Sequence, residues 1–328
     1  MKCTNKIGCF LLAGCFLFFA GCRGESEQLA SSYQVYRTTA SIGISAFSES
    51  EDKKYFSSDL CVSDDISLGT DVTNSQVAQG AGTFHLSSNT VVYAKDIYKK
   101  LYPASTTKIM TAYLALKYCS DLNVPVTVSA NAVDQAPDSS VCGLRAGDVL
   151  TMRDLLYGLM LQSGNDAAIA IAEYISGDVA SFADLMNEEA RLLGATQTHF
   201  VNPNGLPDPE HYTSVYDLYL MFRAALPNQT FLEIINTKSY TAVYTGADGK
   251  AAEAVWANTN PYLNGRARIP EGFTIYGGKT GTTGEAGYCL VLYSHNQEDE
   301  PIISIVLKAD GRYNLYLLMN EMLEGFAN

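Results

Sequence analysis

Ser105 and Lys108 stand three residues apart at the head of an apolar run, Ser-Thr-Thr-Lys-Ile-Met-Thr-Ala-Tyr-Leu-Ala-Leu-Lys. A serine hydroxyl is a weak nucleophile at neutral pH and needs a base beside it. On a helix, residues three apart share a face with Cβ atoms roughly 5–6 Å apart, so the amine reaches the hydroxyl. Burial of that lysine, with a second cation near, lowers its pKa and leaves neutral amine to act as the base. A serine at a helix N-terminus also lies beside free N–H groups and the positive end of the dipole, which favour an oxyanion. Two further motifs follow in order. Ser163-Gly164-Asn165 breaks a helical stretch and offers a hydroxyl to relay a proton and an amide to hold Lys108 and a substrate amide. Lys279-Thr280-Gly281 ends or lies along a β-prone run. It offers positive potential, a hydroxyl for a substrate carboxylate, and a glycine that lets an extended peptide approach the strand. The chemistry these residue types share is acyl transfer.

Each motif alone is weak. A second S-x-x-K occurs at Ser50–Lys53, and S-x-N recurs at Ser87–Asn89 and Ser129–Asn131, none of them between apolar helices. Lys-Thr-Gly occurs once. Order and context together carry the assignment.

The elements that must position these residues are legible in outline. Two β-prone runs between Thr83 and Ala94 flank Leu86-Ser87-Ser88-Asn89, a hairpin signal. The run after Pro103 predicts a helix that is apolar nearly all round and therefore central. Thr151 with Asp154 predicts a capped helix to Gln162, resuming after Asn165. A third helix is expected after Ser181 and Asp184, stopping at Gly194, and a fourth from Ser214 to before Pro227. Runs at 238–245, 273–280, 287–294 and 301–308 predict strands, and 312–325 a closing helix. Strands at both ends of a helical block predict an α+β fold, most simply one antiparallel sheet with helices on both faces.

The chain has 328 residues, 47% of them hydrophobic, and a formal charge of −13. It is long and apolar enough for a large core, and its acidic balance excludes nucleic-acid binding through the phosphate backbone. Residues 1–21 read as a signal peptide: Lys2 and Lys6 precede a short apolar run that is too brief to span a bilayer. Phe19-Ala20-Gly21-Cys22 resembles a bacterial lipobox, which makes Cys22 the expected lipidation site and anchors the protein to a membrane. Loss of the leader removes Lys2 and Lys6 and no acid, carrying the charge from −13 to −15. Residues 22–55 are expected to form a polar tether, and 56–328 the catalytic domain. Cys61, Cys119, Cys142 and Cys289 form no C-x-x-C pair, so no zinc site is expected. A disulfide such as Cys119–Cys142 and four separate thiols both remain open.

The segments PASTTKIMTA, LMLQSGNDAA, HFVNPNGLPDPEHYT and GGKTGTTGEAGYCLV resemble the serine D-alanyl-D-alanine carboxypeptidases, the low-molecular-mass penicillin-binding proteins, from about residue 80 onward. The resemblance implies a β-lactamase/transpeptidase-like fold: a five-stranded antiparallel sheet covered by helices, plus a mainly helical subdomain, with the site at their junction. It implies Ser105 as the acylated nucleophile, Lys108 as its base, and Ser163 and Asn165 as the rest of the proton network. Lys279, Thr280, Gly281 and Thr282 would bind substrate, the N–H groups of Ser105 and Thr282 forming the oxyanion hole. The implied partners are peptidoglycan stem peptides ending in D-Ala-D-Ala, with β-lactams as inhibitors; no cofactor or metal is implied. Only 47 residues follow Gly281, so the second β-rich domain and C-terminal anchor of many members are expected to be absent, with the N-terminal lipid in their place. Asn258-Thr259-Asn260 departs from a family segment with arginine in the middle, leaving Arg266, Arg268 and Arg312 as unranked substitutes.

Three rivals bear on this reading. A β-lactamase would need a water-activating glutamate, for which Glu210 is the candidate. A metal peptidase would need His199, Asp208, Glu210 and His211 to cluster. A non-enzymatic β-lactam or cell-wall sensor would not need a nucleophile–base pair. D,D-endopeptidase action would use the same site.

Overall fold

In the computed structural model the described residues are 59–64, 67–69 and 72–326. The expected leader, the tether and Cys22 lie outside them.

The hairpin signal is realised as β2 (Ala78–His85) and β3 (Thr90–Lys95), joined by a turn in which Asn89 takes a φ of +54°. The short β1 (Ser67–Leu68) pairs outside β3. Late in the chain come β8 (Thr274–Thr283), β9 (Gly287–His295) and β10 (Pro301–Ala309). All are antiparallel in one sheet of order β1-β3-β2-β10-β9-β8. The sheet thus has six strands among the described residues, the two-residue β1 adding one to the five expected.

Period-two alternation divides the side chains of that sheet between two cores. On β10, Ile303, Ile305 and Leu307 join the larger core with the helical block, whereas Val306 faces the other way. There it meets Leu290 and Leu292 of β9 and Leu315, Leu318, Met319 and Met322 of the closing helix α8 (Arg312–Phe326).

The helical block begins with a 3₁₀ turn, Ala104–Thr107, running into α1 (Lys108–Tyr118). Residues Lys108 to Ala112 of α1 are all buried, as its apolar circumference requires. After the one-turn α2 (Ala130–Val133), α3 (Met152–Tyr157) opens on the expected box: Thr151 Oγ1 accepts from Asp154 N, and Asp154 Oδ2 from Thr151 N. Its continuation to Gln162 is a π turn, Gly158–Gln162, rather than α-helix. Then follow α4 (Asn165–Ser176), α5 (Val179–Leu192), α6 (Val215–Ala225) and α7 (Gln229–Asn236). Asp178, not Ser181, caps α5, accepting from Ser181 N at 2.7 Å. Ser214 caps α6 as expected.

The expectation of one sheet is corrected. A second antiparallel sheet combines β4 (Pro125–Thr127), β5 (Val149–Thr151), β6 (Ser239–Thr245) and β7 (Ala251–Ala257), in that order. The strand expected at 238–245 belongs here rather than with β8–β10. The four cysteines of the described residues are free thiols, so the disulfide option is not realised. The architecture is α+β, a main sheet between helix layers with a helical subdomain that carries a small sheet of its own.

Candidate active site

The structure brings the three motifs to one cleft along β8, an edge strand of the main sheet. Ser105 sits in the 3₁₀ turn, one residue after Ala104, whose φ of +48° is left-handed and strained for a residue with a Cβ. Lys108 opens α1 fully buried, with Nζ 2.9 Å from Ser105 Oγ. The same nitrogen donates to Asn165 Oδ1 at 2.9 Å and to the main-chain carbonyl of Asn204 at 2.7 Å. Burial first, and the Lys279 cation second, hold Lys108 well below the ordinary lysine range. That shift favours the neutral amine at the spacing a base needs.

Ser163 follows the π turn in left-handed backbone, φ +62°, which ends one helix and aims its side chain across the cleft. Lys279 Nζ donates to Ser163 Oγ at 3.0 Å and to Thr280 O at 2.9 Å. Lys279 is also buried, and burial alone takes it down to about 7. Thr280 Oγ1 lies 2.7 Å from Thr259 Oγ1, at the middle position of Asn258-Thr259-Asn260. A cavity of about 420 Å³ is lined by Ser105, Ser163, Thr259, Thr280, Gly281 and Thr282 among others.

Lys279-Thr280-Gly281 lies within β8 rather than at its end. A Cβ on Gly281 would meet Ser105 N at 2.9 Å and Pro103 O at 3.1 Å. The close approach this glycine permits in the structure is that of the Ser105 turn itself.

Of the three arginines left open, Arg266 and Arg312 line the cavity, and neither takes part in an ion pair among the described residues. Arg268 pairs with Glu324 at 3.4 Å and is not among the lining residues. Glu210 is exposed and does not line the cavity. His211 is buried; its Nε2 lies 2.8 Å from Thr107 Oγ1, and its Nδ1 accepts from Val201 N at 3.1 Å. Burial takes its pKa down to about 4. Among the described residues no three of His, Cys, Asp and Glu converge as a metal would require, and His199, Asp208, Glu210 and His211 do not form such a group.

Several contributors were not singled out from sequence. Asn204 acts through its carbonyl, which no side-chain motif reveals. Gly205, at φ +89°, packs where a Cβ would stand 1.8 Å from Ala104 O, so the loop closes directly over the Ser105 turn. Thr111 Oγ1 donates to Pro203 O at 2.6 Å and fixes the same loop to α1. The turn-rich Asn-Pro-Asn-Gly run between helices is the signal that could have pointed there. Asp166 is buried beneath the site, and its carboxylate accepts from the N–H groups of Cys142, Gly143, Leu144 and Ala167. It ties the Ser163-Gly164-Asn165 turn to the irregular segment that passes Ser140, whose carbonyl accepts from Asn165 N.

Comparison with known proteins agrees with this geometry. The family model described as D-alanyl-D-alanine carboxypeptidase matches residues 71–311. The chain is 32% identical over 217 residues to the D-alanyl-D-alanine carboxypeptidase DacF of Bacillus subtilis, covering 65% of this chain and 53% of that one. It is 35% identical over 249 residues to the D-alanyl-D-alanine carboxypeptidase of Streptomyces sp. strain K15, covering 73% and 83%. The crystal structure of the Streptomyces K15 DD-transpeptidase superposes with a TM-score of 0.70 at 32% identity, over 76% of this chain and 96% of that one. The chain thus spans about half the length of the Bacillus relative and most of the Streptomyces one. A serine beside a buried lysine in this fold, and a family match over most of the chain, have one meaning: the chain belongs to the D-alanyl-D-alanine carboxypeptidase family.

Proposed function

We propose that the protein is a serine D,D-carboxypeptidase that removes the terminal D-Ala from peptidoglycan stem pentapeptides through an acyl-enzyme on Ser105. The observation that carries this is the buried Lys108 amine 2.9 Å from Ser105 Oγ. The neutral amine takes the Ser105 proton as Oγ attacks the carbonyl of the penultimate D-Ala. Lys108 keeps two N–H bonds, to Asn165 Oδ1 and Asn204 O, so its lone pair is left facing Ser105. Charge developing on the carbonyl oxygen is met by the N–H groups of Ser105 and Thr282, two residues of the cavity lining. The C–N bond then breaks, and the proton passes from Lys108, with Ser163 able to relay it, to the departing D-Ala amine. Water hydrolyses the ester and restores Ser105. Lys279 and Thr280 hold the terminal carboxylate, which is why a cationic spot persists in an acidic chain. β-Lactams acylate the same serine.

Lipid on Cys22 would hold the domain at the outer face of a bacterial membrane. The support is the apolar run ending in Phe-Ala-Gly-Cys, and fatty-acid labelling of wild type against Cys22→Ala tests it.

Release of D-Ala from a pentapeptide, together with mass spectrometry of penicillin-treated protein, tests the function. One penicilloyl adduct on Ser105 is expected; an adduct elsewhere, or none with Ser105 intact, overturns the mechanism.

A further inference from the structure

The catalytic cavity does not stop at Thr282. A second cavity of about 660 Å³ shares Thr282 and Tyr288 with it and continues over Thr283 and Gly284 to Lys308 and Asp310. Lys308 lies where the register of β10 against β9 shifts between Val306 and Ala309, and its φ is +52°. Glycine occupies that backbone region without cost, and a lysine does not. Bulges beside active sites re-aim side chains, and retained strain there calls for a functional reason. Lys308 is half-buried, and no ion pair involves it among the described residues. Asp310, two residues on, lines the same cavity and accepts from Asn314 Nδ2 at 2.8 Å.

The direction of the substrate follows from the function proposed above, on which this inference rests. Its carboxylate end lies at Lys279 and Thr280, and its reacting carbonyl at Gly281 beside Ser105. The acyl side of the peptide therefore runs on past Thr282 toward Thr283 and Gly284, into the second cavity. A half-buried cation, with no carboxylate partner among the described residues, awaits it there, with Asp310 lining the same cavity.

We infer that Lys308 receives a side-chain carboxylate of the stem-peptide residue that precedes the D-Ala pair. Asp310 takes the amine borne on the same carbon. The site thus selects a diamino dicarboxylic acid, such as diaminopimelate, over lysine at that position, two residues that differ by one carboxylate.

The test compares kcat/KM for pentapeptides carrying meso-diaminopimelate or L-lysine at the third position, in the wild type and in Lys308→Gly. Glycine is at ease at this φ, so the variant is expected to fold with a Tm no lower than the wild type. The wild type should favour the diaminopimelate peptide by about fivefold, the scale of a partly shielded ion pair. In Lys308→Gly the ratio should fall to about one, mainly through KM. No preference in the wild type, or a preference that survives in Lys308→Gly, overturns the subsite while leaving the D,D-carboxypeptidase reading intact. Absence of D-Ala release from both peptides overturns that reading, and the subsite with it.

Discussion

Lys108 Nζ lies 2.7 Å from the main-chain carbonyl of Asn204, a group that neither titrates nor rotates away. With Asn165 Oδ1 it gives the amine two fixed acceptors and leaves one direction for the lone pair. Lys108→Met keeps the packing volume and removes the base. Its acylation by penicillin is expected to slow by about a thousandfold, measured as the rate of adduct formation. Ser105→Ala should form no adduct at all, and retention of full peptidase activity there would refute the nucleophile assignment.

The pH dependence has two limbs with different owners. In the proposed mechanism Lys108 acts as the neutral amine, so kcat/KM rises with pH as its proton is lost, and burial with the neighbouring Lys279 moves that limb well below the ordinary lysine range. Lys279 is proposed to act as a cation, and its pKa of about 7 predicts that carboxylate binding weakens as pH climbs past neutrality. The alkaline limb should appear in kcat/KM, a property of the free enzyme, more than in kcat, because bound carboxylate favours the protonated lysine. Lys279→Arg, whose charge does not titrate, should carry the alkaline limb upward.

Gly205→Ala is expected to cost about 3 kcal/mol or more, since its Cβ would overlap Ala104 O and its φ is left-handed. Gly249→Ala is the control, with φ +76° and nothing within 4 Å of the added carbon. It should cost about 1 kcal/mol, from backbone strain alone. Urea unfolding of the two proteins separates closure over the Ser105 turn from strain.

The three arginines separate in the same way. Arg266→Ala and Arg312→Ala are expected to raise KM by about tenfold, the loss of one charge-assisted contact to a carboxylate. Arg268→Ala should leave KM alone, because its guanidinium is turned to Glu324. A Michaelis analysis with a carboxylate-terminated peptide and its amide tells them apart, since the arginine effect should vanish with the amide.

Asp166→Asn replaces an acceptor-only carboxylate that receives four main-chain N–H groups with a group that brings its own donors. A loss of about 2–3 kcal/mol in urea unfolding is expected, with activity falling alongside as the Ser163 turn loosens.

The site residues that announced themselves in sequence are those whose chemistry is carried by side chains close in the chain: Ser105 with Lys108, Ser163 with Asn165, Lys279 with Thr280. Asn204 could not announce itself, because a carbonyl is common to every residue. The main sheet was legible from near-continuous apolar, β-prone runs such as that of β10, whereas β4 and β5, at three residues each, carry too little pattern. In β7 the alternation is filled largely by alanine, and Val255 stands 63% exposed, so the period is hidden. Helix α7 escaped because Pro227 and Asn228 look like a loop, although Asn228 is a cap that accepts from Thr230 N and Phe231 N.

The position of β8 at the margin of its sheet bears on solubility as well as chemistry. A bare strand margin is a template onto which any extended chain, including another copy of the same protein, can zip. Here the Ser105 turn packs on the face of β8 at Gly281, and Ser163 is held against Lys279 beside it. A strand so flanked is expected to take a single extended peptide more readily than the sheet of a folded neighbour. The packing that confines the reaction would then also oppose sheet-to-sheet aggregation.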